Sequence, residues 1–439
     1  MARADARRLA FNILRRVDRQ GAWSSALLAA LDADRIDQRD VALVTELVLG
    51  VLRRRLRLRQ VLSAYSARPV DRIDPDALLL LELALYQMLY LTRVPAFAAV
   101  SEAVGLARAM RRGRAPDAAP FVNGILRAVG REPGRIPPPP SPGEGDPAPA
   151  LSVAHSCPEW LVRRWLACFG RRITGEILEA QNLPAPACLQ PVGERIASAD
   201  LRDKLRDEGV ETVASSWVPG ILRVERGHPW RTKAFARGDF YIQDEASALV
   251  SRMVAAAPGD RVLDICAAPG GKSFEAASRA GETGIVVAAD LHPARAALIQ
   301  ANAARMRLDR VAVLAADFSG DAVPFRPGAL FDYVVVDAPC TGTGVIRRNP
   351  EIRYRVTESS LAGLVALQRR LLRSAVLRVR PGGALIYSVC SLEPEEGERQ
   401  IAWLSGERPD LVADSGPLRT TPGPSGMDGF FAARLRRAG

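Results

Sequence analysis

The chain is poor in the residues that build metal centres and covalent frameworks. Its 439 residues include three histidines and six cysteines, and no two cysteines form a Cys-x-x-Cys pair. Neither a zinc site nor a disulfide framework is indicated. No run of about 18 apolar residues occurs, which argues against a membrane span. The opening stretch, Met1 to Arg8, has no apolar core of the signal-peptide kind. The expectation is therefore a cytoplasmic protein with reduced thiols and no metal. Lysine is scarce too: Lys204, Lys233 and Lys272 are the only ones in the sequence.

What is present is a globular composition, 48% hydrophobic and 25% charged. The length suggests about two to four domains. The net charge of +11 is uneven, because Met1–Gly130 holds 21 arginines against 13 acidic residues. A basic segment of this kind favours a polyanionic partner, usually nucleic acid. The rival reading is a solvated arginine-rich surface of purely compositional origin.

Residues 1–130 read as all helix. Leu9, Ile13, Leu14 and Val17 repeat at helical spacing, as do Val41, Val44, Leu47, Val48 and Val51. Leu78 to Leu91 is apolar nearly all round, as a buried helix would be. Basic faces are expected at Arg53-Arg54-Arg55 and at Arg111-Arg112. Residues 131–150 read as a proline-rich linker that stays unpacked. Residues 151–237 read as a small α+β module, opened by helices at Pro158–Phe169 and Ile173–Gln181. Residues 238–439 then alternate strand and helix, which predicts a doubly wound parallel sheet.

The first βα unit of that sheet is Arg261 to Ala277. Its apolar run stops at Pro269-Gly270-Gly271-Lys272, and a helix follows. Glycines there let backbone approach a ligand, and the helix start offers free N–H groups. In such sheets ligands sit at the carboxyl ends of the strands. Those ends carry Asp264 and Cys266, Asp290, Asp317, Asp337 with Cys340, and Cys390. Asp290 is placed to accept from ribose hydroxyls, and Asp317 to meet a base amino group. A row of carboxylates would repel a pyrophosphate, so S-adenosylmethionine fits better than NAD or ATP. The bland alternative is that Asp290 and Asp317 only cap helices. Gly271-Lys272-Ser273 also resembles the end of a phosphate-binding loop, but the first glycine of that pattern falls on Cys266.

Two cysteines at strand ends suit another chemistry. A thiolate can add to carbon 6 of a pyrimidine and make carbon 5 nucleophilic, after which a base removes the carbon 5 proton and the thiolate leaves. Lys272 could supply the electropositive setting that such a thiol needs. Buried, inert cysteines are the alternative.

Three stretches carry a resemblance. D-I-C-A-A-P-G-G-K (264–272), D-A-P-C-T-G-T-G-V-I-R-R-N-P-E (337–351) and Y-S-V-C-S-L-E-P-E-E (387–396) resemble the motifs of the Nop/Sun RNA cytosine-5 methyltransferases. Ala10-Phe11-Asn12-Ile13-Leu14 and Phe121-Val122-Asn123-Gly124-Ile125-Leu126 resemble the NusB-type RNA-binding domain. The resemblance implies an all-α NusB-like helical domain, then an α/β Rossmann-like methyltransferase domain with the small α+β module before it. It implies methylation of carbon 5 of a cytosine in 16S ribosomal RNA, and nothing in the sequence requires more than a monomer.

By the same likeness Cys266, Ala267, Ala268, Pro269, Gly270, Gly271 and Lys272, with Asp290, Asp317 and Asp337, bind S-adenosylmethionine. Cys390 would be the nucleophile, Cys340 would assist product release, and Asp337 and Lys272 would complete the catalytic set. Arg347 and Arg348 would meet RNA backbone. Two departures stand out. Val389 precedes the nucleophile where the family usually has threonine, and Leu189-Gln190-Pro191-Val192 replaces the family's Leu-Arg-Val-Asn. Competing readings are a cytosine-5 methyltransferase of tRNA or 23S RNA, a methyltransferase of DNA or protein, and a non-catalytic RNA-binding assembly factor.

Overall fold

The computed structural model describes residues 5–31, 36–110, 117–141, 143, 145–193, 195–320, 325–326 and 328–439. They form two compact units: Met1–Pro184 with Ile346–Arg355, and Ala185–Val345 with Val356–Gly439. Among the described residues no helix is long and apolar enough to cross a membrane.

The first unit is helical. It comprises α1 (Ala6–Gln20), α2 (Ser24–Ala29), α3 (Gln38–Tyr65), α4 (Pro75–Tyr90), α5 (Ala96–Ala109), α6 (Ala119–Arg131), α7 (Ala148–His155) and α8 (Glu159–Ala180), with α14 (Ile352–Arg355) from much later in the chain. Local chemistry sets the ends. Asp5 accepts from the N–H groups of Arg7 and Arg8 to start α1, and Gly21 closes it in the left-handed conformation. Asp74 caps α4, with Pro75 in its first turn. The predicted helical stripes of α1 and α3 do face a common core, where Phe11, Leu14, Val17, Val44, Leu47 and Val51 are buried.

Three expectations change here. Arg53, Arg55 and Arg57 are buried, so α3 presents no continuous basic face. Arg55 binds Glu82 at 3.2 Å and Asp18 at 2.8 Å, and Arg59 binds Glu82 at 2.7 Å. The arginines serve a carboxylate that α4 would otherwise bury alone, and Arg54 lies over the ring of Tyr90. Arg111 and Arg112 lie outside the described residues. The expected linker is also engaged: Ile136 packs on the helical core and Arg57 donates to the Pro137 carbonyl. Helices α7 and α8, expected to open the α+β module, lie in the same compact unit as the helices before them. The two helices expected after Pro158 are real, joined at Gly170, whose φ of 73° breaks the helical path.

The second unit holds two sheets. The smaller has strand order β2 (Glu211–Ala214), β3 (Leu222–Arg226), β1 (Cys188–Pro191) and β4 (Phe240–Ile242), all antiparallel, with helices α9 (Ser198–Asp207) and α10 (Lys233–Ala236). Phe240–Ile242, assigned by sequence to the larger domain, pairs with β1 because Phe240 completes the small core with Leu189 and Leu222. The boundary expected at 237 therefore cuts through this sheet.

The larger sheet comprises β5 (Arg261–Asp264), β6 (Ile285–Asp290), β7 (Val311–Ala315), β8 (Phe331–Asp337), β9 (Val379–Val389), β10 (Leu411–Ala413), β11 (Leu418–Thr420) and β12 (Phe430–Arg437). Its order is β10-β12-β9-β8-β5-β6-β7, with β11 also on β12. The five strands β5 to β9 are parallel, as predicted. The sheet is not parallel throughout, because β12 runs antiparallel to β9 and carries β10 and β11 antiparallel to itself. Helices α11 (Glu245–Met253), α12 (Gly271–Ala280), α13 (Pro293–Met306), α15 (Glu358–Val376) and α16 (Glu398–Glu407) complete the unit.

Removing Glu82 leaves the buried Arg55 charge with one fewer partner, and such losses cost about 3–5 kcal/mol. Glu82→Ala is expected to lower the thermal midpoint of the full chain by several degrees, measured by calorimetry. An unchanged midpoint would show that Asp18 alone suffices.

Candidate active site

Parallel strands that end together deliver their terminal residues to one edge. Asp264 ends β5, Asp290 ends β6 and Asp337 ends β8, while Cys390 directly follows β9. Between β5 and α12 the loop Cys266–Gly270 folds back on the sheet: the Ala267 N–H donates to the Ala289 carbonyl at 2.8 Å, and the Gly270 N–H to Ala267 at 2.7 Å. Gly270 has φ of 114°, and a Cβ there would run into the Phe274 ring. Any other residue would push this loop open.

Lys272, in the first turn of α12, turns its ammonium to Asp337 Oδ2 at 2.7 Å and to Ser247 Oγ at 3.2 Å. Asp337 Oδ1 accepts from Ser388 Oγ at 2.7 Å. Asp264 Oδ2 accepts from Ser273 Oγ at 2.7 Å. Burial raises the Asp264 pKa to about 7, against the pull of the Ser273 hydrogen bond and the Lys272 charge. Burial likewise pushes the Cys266 thiol up. Asp290 accepts from the His292 N–H at 3.1 Å and lies 3.5 Å from Arg295 Nε, whose guanidinium also donates to the Ala268 carbonyl at 3.0 Å.

The two cysteines meet. Cys340 Sγ lies 3.4 Å from Cys390 Sγ. The hydrogen bond to Cys390, with burial, holds Cys340 well above the usual thiol range, so it stays protonated. The loop carrying it is tied down on both sides. The Thr341 N–H donates to Glu396 Oε1 at 2.9 Å, and its hydroxyl to Glu396 Oε2 at 2.5 Å. The Gly344 N–H donates to the Cys390 carbonyl at 3.0 Å.

Not every expected residue joins this group. Asp317 is exposed, and its carboxylate accepts from the Ser319 N–H at 2.7 Å; hydrogen bonds from the Ser319 hydroxyl, then from its N–H, hold the Asp317 pKa down. Arg347 is 3% exposed, so its guanidinium is withdrawn from solvent and unavailable for a surface phosphate contact; Arg348 is half-buried. Val389 packs in the sheet core with Val336 and Phe431, where a threonine hydroxyl would be buried among apolar groups. Ser247, Ser388, Arg295 and Glu396 escaped the sequence reading. Ser388 and Glu396 did lie inside the motif around Cys390, whereas nothing local marked Ser247.

Comparison with known proteins agrees with this architecture. Residues 251–436 match the family model described as 16S rRNA methyltransferase RsmB/F, residues 4–131 the NusB family, and residues 157–231 the ferredoxin-like domain of RsmF/B-like methyltransferases. The chain is 32% identical over 456 residues to a probable ribosomal RNA small subunit methyltransferase B of Bacillus subtilis, covering all of both chains. The chain belongs to the RsmB/F methyltransferase family. It is also 33% identical over 423 residues to ribosomal RNA small subunit methyltransferase B of Sodalis glossinidius, covering 95% of this chain and 94% of that one. The crystal structure of PH0851 shares the fold, with a TM-score of 0.81, 24% identity and 98% of each chain covered.

The cofactor of an RsmB/F chain is S-adenosylmethionine, and the donor set fits it. Asp290 offers an acceptor at the end of β6. The one lysine of the glycine loop is committed to Asp337 and is not free to pair with a phosphate. A cationic, phosphate-free nucleoside suits an edge of carboxylates.

The folded chain keeps a proton on Asp264 up to about pH 7, whereas an unfolded aspartate releases it near pH 4. The folded state therefore binds more protons in this window, and its stability falls as pH rises through it. Asp264→Asn is expected to flatten the decline in thermal midpoint between about pH 4 and 7. A decline parallel to wild type would overturn the assignment of the proton to Asp264.

Proposed function

We propose that this chain methylates carbon 5 of one cytosine in 16S ribosomal RNA through a covalent Cys390–cytosine adduct. The observation that carries the reading is the 3.4 Å approach of Cys340 and Cys390 at the ends of adjacent parallel strands, beside the Lys272–Asp337 pair. The ribosomal RNA substrate is supported by the family and by the names of the relatives above.

In this mechanism the Cys390 sulfur adds to carbon 6 of a cytosine taken out of its stack. Asp337, held by Lys272 and Ser388, hydrogen-bonds the base and orients its face to the sulfur. S-adenosylmethionine, held by the Cys266–Lys272 loop and Asp290, supplies an electrophilic methyl group when bound. A base then takes the carbon 5 proton, the electrons of that bond re-form the carbon 5–carbon 6 double bond, and the sulfur leaves as the Cys390 thiolate. Cys340 assists that release from the adjacent position. Asp317 contributes from the rim, at the exposed end of β7. Of the two arginines after Val345, Arg348 keeps the role of meeting RNA backbone, because Arg347 is buried.

A DNA cytosine methyltransferase would use the cysteine after proline, here Cys340, as nucleophile. The test uses full-length wild type, Cys390→Ala and Cys340→Ala with labelled S-adenosylmethionine and unmodified 16S RNA. Cys390→Ala is expected to give neither methyl transfer nor denaturant-stable adduct, while Cys340→Ala accumulates adduct. Adduct lost with Cys340 and kept without Cys390 would reverse the roles. Lys272→Met is expected to cut transfer about 10²- to 10⁴-fold by freeing Asp337 from its orientation; a loss below tenfold would remove Lys272 from the mechanism.

A further inference from the structure

Each cysteine of the pair is followed by a hydroxyl residue, Thr341 or Ser391, and both hydroxyls bond to one buried carboxylate, Glu396. Glu396 Oε1 accepts from the Thr341 N–H at 2.9 Å and from Gln368 Nε2 at 3.0 Å, while Oε2 accepts from the Thr341 hydroxyl at 2.5 Å. Among the described residues its partners are neutral. Burial pushes its pKa up, against the hydrogen bonds from Ser391, Thr341 and Gln368. A carboxylate held this far from water is tolerated only while its donors stay in place.

The same network grips the chain on either side of Cys340. Gln368, on α15, also donates to the Pro339 carbonyl at 3.0 Å. Pro339 and Thr341, the two neighbours of Cys340, are therefore held by an amide and a carboxylate that bond each other. The amide has one orientation, because Gln400 Nε2 on α16 donates to Gln368 Oε1 at 2.9 Å and turns the Gln368 NH₂ toward the loop. On the Cys390 side, Ser391 Oγ lies 3.0 Å from Thr341 Oγ and accepts from the Glu393 N–H at 3.0 Å. Glu396 itself is fixed through its backbone, whose carbonyl accepts from the Tyr387 hydroxyl at 2.6 Å. All of these groups belong to the second unit, and Thr341, Gln368, Ser391, Glu396 and Gln400 are buried. A satisfied buried network of this kind admits one arrangement, and it sets the two sulfurs 3.4 Å apart.

We propose that Glu396 and Gln368 are positioning residues for the methyl transfer, holding the Cys340 sulfur against Cys390 for the release step. Both are shut off from solvent, so they act through the Pro339–Thr341 loop. The negative charge of Glu396 also opposes a second negative charge on the Cys340 sulfur, which favours a protonated Cys340. The release role of Cys340 rests on the reading under Proposed function; the placement of its sulfur does not.

The test compares full-length wild type with Glu396→Gln, Gln368→Met and Thr341→Val by two readouts. The first needs no RNA: iodoacetamide, whose iodide the sulfur displaces, is followed at Cys340 and Cys390 by peptide mass. A loop released from its clamp is expected to raise Cys340 labelling about tenfold, with Cys390 within about threefold of wild type. The second readout is turnover on unmodified 16S RNA, scored for kcat, KM and the share of enzyme trapped as adduct. The three variants are expected to lower kcat about tenfold, with more trapped adduct and KM within about twofold. Thr341→Ser keeps the hydroxyl and is expected to stay within about threefold of wild type in both readouts. Thr341→Val removes only that hydroxyl at nearly constant volume, so the comparison stands if Glu396→Gln misfolds. Labelling and kcat at wild-type values in Thr341→Val and in the other variants that fold would overturn the proposal, as would a rise in KM alone. Faster Cys340 labelling in the variants, with no methylation by wild type, would overturn the reaction and uphold the positioning role.

Discussion

The parallel pairing of β8 with β9 is the constraint on which the site depends. Asp337 pairs in register with Ser388, and each strand ends within a few residues of that pair. The loop from Asp337 to Cys340 and the step from Ser388 to Cys390 then bring both sulfurs to the same point above the edge. A one-residue slip would turn Asp337 or Ser388 to the opposite face and separate them. The β5–β8 and β5–β6 pairings extend the same logic outward and line up Asp264 and Asp290 beside them.

Charge at this edge is managed locally. The carboxylate of Asp337 is matched by Lys272, Asp290 has Arg295 nearby, and Asp264 is driven by burial toward its neutral form. Cys340 is kept protonated by its partner sulfur and by burial. The edge therefore holds acceptors for a cationic nucleoside without carrying the full repulsion that a row of carboxylates would imply on paper. The Lys272 ammonium does its work as the partner of Asp337, which differs from the direct support of a thiolate that its place after the glycines suggested.

The helical unit uses its arginines in a similar inward way. Arg55 and Arg59 serve Glu82, and Arg353 closes two helix ends. A count of arginines overstates the basic surface here, because a guanidinium carries five donors and is the side chain best suited to satisfy buried carbonyls and carboxylates. The ten residues after Val345 look in sequence like a continuation of an RNA-facing motif, but they are structural members of the helical unit.

Sequence alone determined the strand–turn–helix at Arg261–Ala277, the five parallel strands, the aspartates that end them and the two cysteines. Each of these is written in local periodicity, glycine placement and strand-end position, which depend on neighbours close in the chain. It did not determine the antiparallel strands at the far edge, the strand at Phe240–Ile242, or the membership of α7 and α8 in the helical unit, because short apolar runs and amphipathic helices do not name their partners. Nor did it show that Arg53, Arg55 and Arg347 turn inward or that Ser247 holds Lys272. Those outcomes were decided by tertiary structure, since burying a charge or a polar group demands a partner that only the folded chain brings within hydrogen-bond reach.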